Sequence, residues 1–267
     1  MSDIRLSVLI PARNEADNLP GLLDEVRTAL ESAAIAFEIL VVNDGSSDAT
    51  GDVLERYAQH EPRLRPLHHP TSAGQSTSIW QAAWRARGDW LATLDGDGQN
   101  DPADLPAMVE RFERGDLVLL AGHRVTRNDG AVKRLSSRLA NAVRSRLLHD
   151  DTPDTGCGIK VMRRDAMLAL PYFNHMHRFL PALMRAQGGN TLSWPVNHRP
   201  RSAGRSNYGT LDRLLAGLLD LGGVMWLIHR SKLPAPLEMP DSAPEQRPSL
   251  QHPSTQREAE RPQESTS

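Results

Sequence analysis

The stretch Trp90-Leu91-Ala92-Thr93-Leu94-Asp95-Gly96-Asp97-Gly98-Gln99 decides the reading of this chain. Its first half has the composition of a short buried strand, and its second half gathers two carboxylates and an amide within five residues. The glycines let the backbone turn sharply without a Cβ penalty, so the oxygens of Asp95, Asp97 and Gln99 can converge on one hard cation. Mg²⁺ or Mn²⁺ suits such ligands, and neither needs a closed protein cage, because substrate phosphates and water complete the shell. The expected ligand therefore carries phosphates. An Asp-x-Asp pair is also an ordinary surface turn, so the surrounding chain has to decide between the two readings.

Working outward, short apolar runs alternate with helical patterns. Leu6–Ile10 is a strand, followed by a helix that Asp17 or Asn18 caps, with Pro20 in its first turn and Leu19, Leu22, Leu23, Val26 and Leu30 on one face. Phe37–Val42 is the second strand, ending in the turn Asn43-Asp44-Gly45-Ser46-Ser47-Asp48, after which Val53, Leu54 and Tyr57 mark a helix. Leu64–Leu67 is a weak strand, Ser76–Arg87 a helix, Trp90–Leu94 a strand, Pro102–Arg114 a helix and Leu117–Ala121 a strand. This alternation predicts an α/β fold with a mostly parallel sheet flanked by helices. Polar residues sit just past the strands: Glu15 after the first, Asp44 and Asp48 after the second, and Asp95, Asp97 and Gln99 after the strand ending at Leu94. Ligands of open α/β sheets bind outside the carboxyl ends of the strands, so these segments are expected to share one crevice.

Composition allows an enzyme-sized core, with 39% hydrophobic residues in 267. Net charge is −2, but residues 123–146 hold Arg124, Arg127, Lys133, Arg134, Arg138, Arg144 and Arg146 against a single acid, Asp129. Such a run suits an anionic partner, or the solvated face of an amphipathic helix; for Arg144 and Arg146 the two readings weigh equally. The lone Cys157 excludes an intrachain disulfide and a cysteine zinc cluster. The start Met1-Ser2-Asp3-Ile4-Arg5 runs straight into a strand, which together with cysteine usage predicts a cytoplasmic protein. No Gly-x-x-x-x-Gly-Lys loop and no Gly-x-Ser-x-Gly elbow occurs. His175 and His177, two positions apart on a helix, would point to different faces, against a shared zinc.

Four segments in order then point to a family. Pro11-Ala12-Arg13-Asn14-Glu15, Val42-Asn43-Asp44-Gly45-Ser46-Ser47-Asp48, Asp95-Gly96-Asp97-Gly98-Gln99 and Asp154-Thr155-Gly156-Cys157-Gly158 resemble the motifs of family 2 glycosyltransferases with the GT-A fold. Within that family the resemblance is to polyprenyl-phosphate sugar transferases typified by dolichol-phosphate mannose synthase, and it spans roughly residues 4–232. It implies a donor site built from Pro11, Asn14, Glu15, Asp44, Asp48 and Asp95, with Glu15 near the ribose and Asp44 at the base. It makes Asp95, Asp97 and Gln99 the Mg²⁺ or Mn²⁺ and diphosphate site, and Arg124 and Arg138 the clamp on the acceptor phosphate, so that Asp97, Arg124 and Arg138 are the expected catalytic residues. Arg205, within Gly204-Arg205-Ser206-Asn207-Tyr208, resembles a basic residue of a loop over the donor phosphates. The chain departs at Asn43, where many relatives carry a second acid.

The acceptor chemistry fits that subgroup. Transfer to a sugar hydroxyl needs a positioned base, whereas a phosphate monoester, with a second pKa of about 6, is already an anionic nucleophile near neutrality. Arginines and a divalent cation then hold two anions together. The expected reaction is inverting transfer from a nucleotide diphosphate sugar, GDP-mannose first and UDP sugars next, to a polyprenyl phosphate. A family 2 enzyme acting on a saccharide hydroxyl in surface-polymer assembly, and a nucleotide-sugar binding module without turnover, are the alternatives. Nothing points to nucleic acid, and an oligomer is left open.

Residues 211–230 carry a leucine stripe interrupted by Asp212, Arg213 and Asp220, too polar to span a bilayer. Trp226 with His229, Arg230 and Lys232 suits a helix lying on an anionic membrane surface, and burial or dimer packing suits the leucines equally. The expected location is the inner face of the plasma membrane, peripherally bound. Residues 1–233 thus form one catalytic domain. Residues 234–267, rich in Pro, Glu, Gln and Ser with no apolar periodicity, are predicted to be a disordered tail dispensable for catalysis.

Overall fold

Every side chain of β1 (Leu6–Ala12) except Pro11, and every one of β2 (Phe37–Asp44), is buried. Strands this uniformly buried are covered on both faces, the pattern of a parallel sheet. The computed structural model describes residues 4–125, 144–199 and 210–231, the last with side chains from residue 217 onward. These described residues fall within one compact unit, Met1–Leu233. Their seven strands form a single sheet in the order β3-β2-β1-β4-β6-β5-β7, where β3 is Leu64–His69, β4 Trp90–Thr93, β5 Leu119–Arg124, β6 Lys160–Arg163 and β7 Thr191–Val196. β6 runs antiparallel to β4 and β5, and all other pairs are parallel.

The pleat sorts side chains into two cores. Leu6, Val8 and Ile10 of β1, with Phe37, Ile39 and Val41 of β2, face α1 (Leu19–Ser32), α2 (Thr50–Ala58) and α4 (Leu105–Phe112). Leu9, Leu40 and Val42 face the opposite layer of α3 (Gln75–Arg85), α5 (Arg164–Leu168), α6 (Leu180–Ala186) and α7 (Thr210–Arg230). Both outermost strands, β3 and β7, contain a proline, Pro66 and Pro195, which an edge tolerates because it leaves no inner ladder bond unmade.

The predicted elements are present with shifted ends. α3 starts at Gln75 and stops at Arg85, because Ala86 is extended. The helix expected over Pro102–Arg114 opens with a 3₁₀ turn at Pro102–Asp104, capped by the Asp101 carboxylate accepting from the Ala103 amide at 3.0 Å, and ends at Phe112. Neither Asp17 nor Asn18 caps α1 through its side chain. Asn18 stands at the N-cap, but its Nδ2 donates to Glu15 Oε2 at 2.6 Å. β6 and β7 have no counterpart in the sequence reading. β6 is only four residues long and includes a lysine, and β7 alternates exposed and half-buried residues around a proline.

Candidate active site

The loops after β1 and β2 are stitched to each other. Asn14, at φ 57°, accepts the Ser47 amide at 2.8 Å through Oδ1, and its own amide donates to Ser46 Oγ at 3.0 Å. The Glu15 amide donates to Thr50 Oγ1 at 3.0 Å, and the Ala16 amide to Asp48 Oδ2 at 3.3 Å. The other Asp48 oxygen accepts from the amide and hydroxyl of Thr50, the first residue of α2, so this carboxylate fastens one loop to the other as well as to the start of that helix. The loop after β4 joins them by close approach: a Cβ on Gly96 would lie 3.0 Å from the Pro11 carbonyl oxygen. Three separate post-strand segments therefore form one rim.

Asp44, 5% exposed, is saturated by internal donors. Oδ1 accepts from the Ala73 amide at 2.7 Å and lies 2.7 Å from His69 Nδ1, while Oδ2 accepts from Ser72 Oγ at 2.7 Å and the Gly74 amide at 2.9 Å. Burial pushes its pKa up, but these hydrogen bonds, led by His69, outweigh it and hold the carboxyl below its ordinary range. A carboxylate has about four lone-pair sites, so a direct contact with a nucleotide base would have to displace one of these donors. Asn43 closes the adjoining turn by accepting the Ser46 amide at 3.1 Å and pairs with His68 Nδ1 at 3.1 Å.

Asp95 and Asp97 stand at the carboxyl end of β4. The Asp95 amide donates to Asn100 Oδ1 at 2.9 Å, and Oδ1 of Asp95 accepts from Gln75 Nε2 at 2.8 Å. Asp97 Oδ1 accepts the Gln99 amide at 3.1 Å, fixing the turn. Gln99 donates through Nε2 to the Arg199 carbonyl at 3.5 Å, and its Oε1 takes no hydrogen bond among the described residues. The Asp95 carboxyl has a pKa pushed up to about 6, first by burial and then by the neighbouring charge of Asp97, against the weaker pull of Lys160, Arg124 and Gln75. Two oxygen-donor carboxylates close enough that the charge of Asp97 opposes ionisation of Asp95, with an amide oxygen beside them, fit a hard divalent cation. No cluster of three or more His, Cys, Asp or Glu gathers among the described residues, so the protein would supply only part of a shell.

This predicts a pH-dependent response to metal. The unfolded carboxyl titrates near 3.8 and the folded one near 6, so Asp95 contributes stability below the first value and loses it as pH rises through the second. Above that, charge repulsion is what a cation relieves, and below it a proton competes with the cation. Mn²⁺ is expected to raise the melting temperature more at about pH 7.5 than at about pH 5. Equal shifts at both would remove Asp95 as a ligand.

A cavity of about 130 Å³ opens beside Asp95, lined by Gln75, Thr93, Gly158, Lys160, His177 and Arg178 among others. Lys160 is 4% exposed and donates through Nζ to the Cys157 carbonyl oxygen. Burial pulls its pKa down, and burial with the nearby Lys160 and Arg178 holds His177 well below the usual imidazole range. At the rim, Arg124 grips Asp154 through Nε and Nη2 at 2.7 and 2.8 Å.

Residues 7–170 of the chain match the family described as Glycosyl transferase family 2. The chain is 33% identical to a dodecaprenyl-phosphate galacturonate synthase of Rhizobium johnstonii over 238 residues, which is 88% of the chain and 70% of that protein. It is 33% identical to an undecaprenyl-phosphate 4-deoxy-4-formamido-L-arabinose transferase of Edwardsiella ictaluri over 226 residues, 83% of the chain and 69% of the relative. The chain belongs to glycosyltransferase family 2. Its fold is that of a Pyrobaculum calidifontis mannosyltransferase solved with GDP-mannose and Mn²⁺, at a TM-score of 0.65 and 18% identity over 86% of the chain and 66% of the other. The glucosyl-3-phosphoglycerate synthase of Mycobacterium tuberculosis, solved with Mn²⁺, UDP and phosphoglyceric acid, aligns at a TM-score of 0.62 and 17% identity, over 86% of the chain and 80% of that chain. These establish the GT-A architecture.

In this family 2 domain the expected donor residues Pro11, Asn14, Glu15, Asp44, Asp48 and Asp95 share one rim with Asp97 and Gln99, while Arg124 stands beside Asp154 of the fourth motif. Arg138 and Arg205 lie outside the described residues. Among the described residues of the basic run, two cations are met inside the fold. Arg124 is paired with Asp154, and Arg144, 9% exposed, bonds both oxygens of Asp150 at 2.5 and 3.3 Å and the Thr152 carbonyl at 2.8 Å. Arg144 is thus neither an acceptor contact nor a solvated residue but a structural tie. His175 and His177 point apart, the first 2.8 Å from Asp220 on α7 and the second 2.7 Å from Ser76 on α3. Cys157 is 1% exposed and its thiol is shifted up by burial, a packing residue. Sequence reasoning missed Asn100, Lys160, Arg178 and Arg199. Of these only Lys160 carried a signal, a lone cation inside the apolar run Ile159-Lys160-Val161-Met162.

Proposed function

We propose that this family 2 glycosyltransferase moves a sugar from a nucleotide diphosphate donor to a polyprenyl phosphate, with inversion, at the cytoplasmic face of a membrane. The observation that carries the acceptor is that both 33%-identical relatives are named for polyprenyl-phosphate chemistry. Those relatives carry galacturonate and formamido-arabinose rather than mannose, so GDP-mannose yields its first place to sugars of those classes. A bound Mg²⁺ or Mn²⁺ would supply charge neutralisation of the leaving diphosphate. Asp95, Asp97 and Gln99 would hold it, and Arg124, whose Nη1 has no partner among the described residues, would orient the acceptor phosphate with Arg138. A phosphate nucleophile needs no base. The only imidazole of the cavity among the described residues, His177, is bonded to Ser76 and poorly matched to neutral-pH base work. The test is purified protein with Mn²⁺, a panel of UDP and GDP sugars and a short polyprenyl phosphate, read by mass spectrometry. Lipid-linked sugar confirms the reaction and names the donor, and donor binding with no sugar reaching the lipid overturns the acceptor.

Membrane contact is proposed for α7. No described helix is long and apolar enough to cross a membrane. Val224 of α7 is 1% exposed, and Leu221, Leu227 and Ile228 pack on the core, while Leu218, Leu219, Met225 and Trp226 are exposed at 58, 77, 39 and 65%. The exposed four follow helical spacing into one apolar stripe ending at His229 and Arg230. Replacing Leu219 and Trp226 by Glu is expected to weaken sedimentation with anionic vesicles at least tenfold, since each burial is worth about 1.5–3 kcal/mol. Unchanged sedimentation would hand the stripe to a second copy of the chain. The tail 234–267 lies outside the described residues, and it is proposed to be dispensable.

A further inference from the structure

We propose that the cavity beside Asp95 is an anion subsite in which Lys160 and Arg178 receive the carboxylate of a hexuronic acid carried by the donor, an inference that rests on the donor reading above. Lys160 is a nearly fully buried ammonium with three donor protons and one recorded partner, the Cys157 carbonyl oxygen. No carboxylate lies within 4 Å of it among the described residues, and none pairs with the half-buried Arg178 guanidinium, whose side chain makes no hydrogen bond there. Burying a cation without an acid partner is costly. A site that keeps one buried and one half-buried cation around one small cavity, neither paired with an acid among the described residues, is completed by an anion.

The lining decides which anion. Among the described residues Asp95 is the only acid on the cavity wall, and it belongs to the pair that would hold the metal and donor diphosphate. The cavity therefore adjoins the place from which the donor sugar hangs. Its volume of about 130 Å³ is that of about four liquid waters, room for a carboxylate and the ring atoms that carry it. The apolar lining is limited to a few side chains such as Ile79 and Leu180, poor company for a prenyl chain. Gln75 is fixed on Asp95 and Ser76 on His177, so the walls are held in place. His177, kept neutral, adds no second anion or cation of its own.

The experiment is titration calorimetry with Mn²⁺ and no acceptor, using two matched pairs: UDP-galacturonate against UDP-galactose, and GDP-mannuronate against GDP-mannose. Within each pair only C6 differs, carboxylate against hydroxymethyl. In at least one pair the uronate should bind tenfold or more tighter, and Arg178→Gln should erase that preference while leaving the hexose affinity within about twofold, because one charge-assisted contact is lost. Lys160→Met, matched in shape, should also erase the preference, with circular dichroism reporting its fold. A hexose bound as tightly as its uronate in every pair that binds overturns the subsite and leaves the donor reading standing. Binding of no nucleotide sugar overturns the donor reading itself. If Arg178→Gln instead raises the KM for polyprenyl phosphate and leaves donor affinity untouched, the cavity holds the acceptor phosphate and the proposal fails.

Discussion

Asp97→Ala is expected to lower turnover by about 10³-fold or more while moving the melting temperature only a few degrees. A divalent cation contributes several kcal/mol of transition-state charge stabilisation, and each 1.36 kcal/mol is about tenfold in rate. Removing one of two carboxylates forfeits most of that. The structural cost is separate: within its turn the Asp97 side chain accepts the Gln99 amide, a bond worth about 1 kcal/mol. Asp97→Asn tells the two apart: it can keep the turn bond through its amide oxygen but not the charge, so it should be as stable as the parent and nearly as inactive as the alanine variant. Steady-state kinetics and thermal melts on both proteins decide it. Near-normal activity in either would dispose of the metal-site reading.

The second large effect is steric. A Cβ added to Gly158 would lie 2.2 Å from Asp95 Oδ2, 2.4 Å from its Cγ and 2.6 Å from Asn100 Oδ1. None of these atoms is at liberty to retreat, since Asn100 Oδ1 accepts the Asp95 amide and Asp95 Oδ1 accepts from Gln75. Gly158→Ala is therefore expected to cost about 1–3 kcal/mol of stability by overpacking. Its effect on rate should be larger, on the order of 10²-fold, because a displacement of roughly 1 Å at a reacting group has that consequence. Gly21→Ala is the control. It sits in α1 with nothing within 4 Å of the added carbon, and should stabilise by about 0.5–1 kcal/mol with activity unchanged. If Gly158→Ala keeps full turnover, Asp95 has no need of its present position.

Much of this architecture could be read from residues alone, for a physical reason. Leu6–Ile10 and Phe37–Val42 are apolar but for Ser7 and Glu38, which bond each other, because both faces are covered, and the helices between them repeat their leucines at a helical period. The Asp95–Gln99 cluster stood out because glycine and carboxylate leave a compositional mark at a strand end. What stayed hidden depends on long-range pairing. β6 is recruited between β4 and β5 in the reverse direction, and a four-residue strand leaves no period to detect. The partners of Arg124 and Arg144 lie thirty and six residues downstream, so a basic run that looks anion-seeking by count contains cations whose charge is met inside the fold. Asp44 shows the same limit, since the turn-forming residue and the internal acceptor for the Ser72 hydroxyl and the Ala73 and Gly74 amides are one carboxylate.

The stitching of the first two loops has a consequence for engineering. Asn14, Glu15 and Ala16 reach across to Ser46, Ser47, Asp48 and Thr50 through backbone donors and side-chain acceptors from both sides. Each segment is shaped by the other, so neither is portable alone. Recombination between relatives should respect residues 11–16 and 43–50 as a single cassette, inherited together across the 26 intervening positions 17–42, and chimeras with a crossover inside that gap join halves selected against different partners.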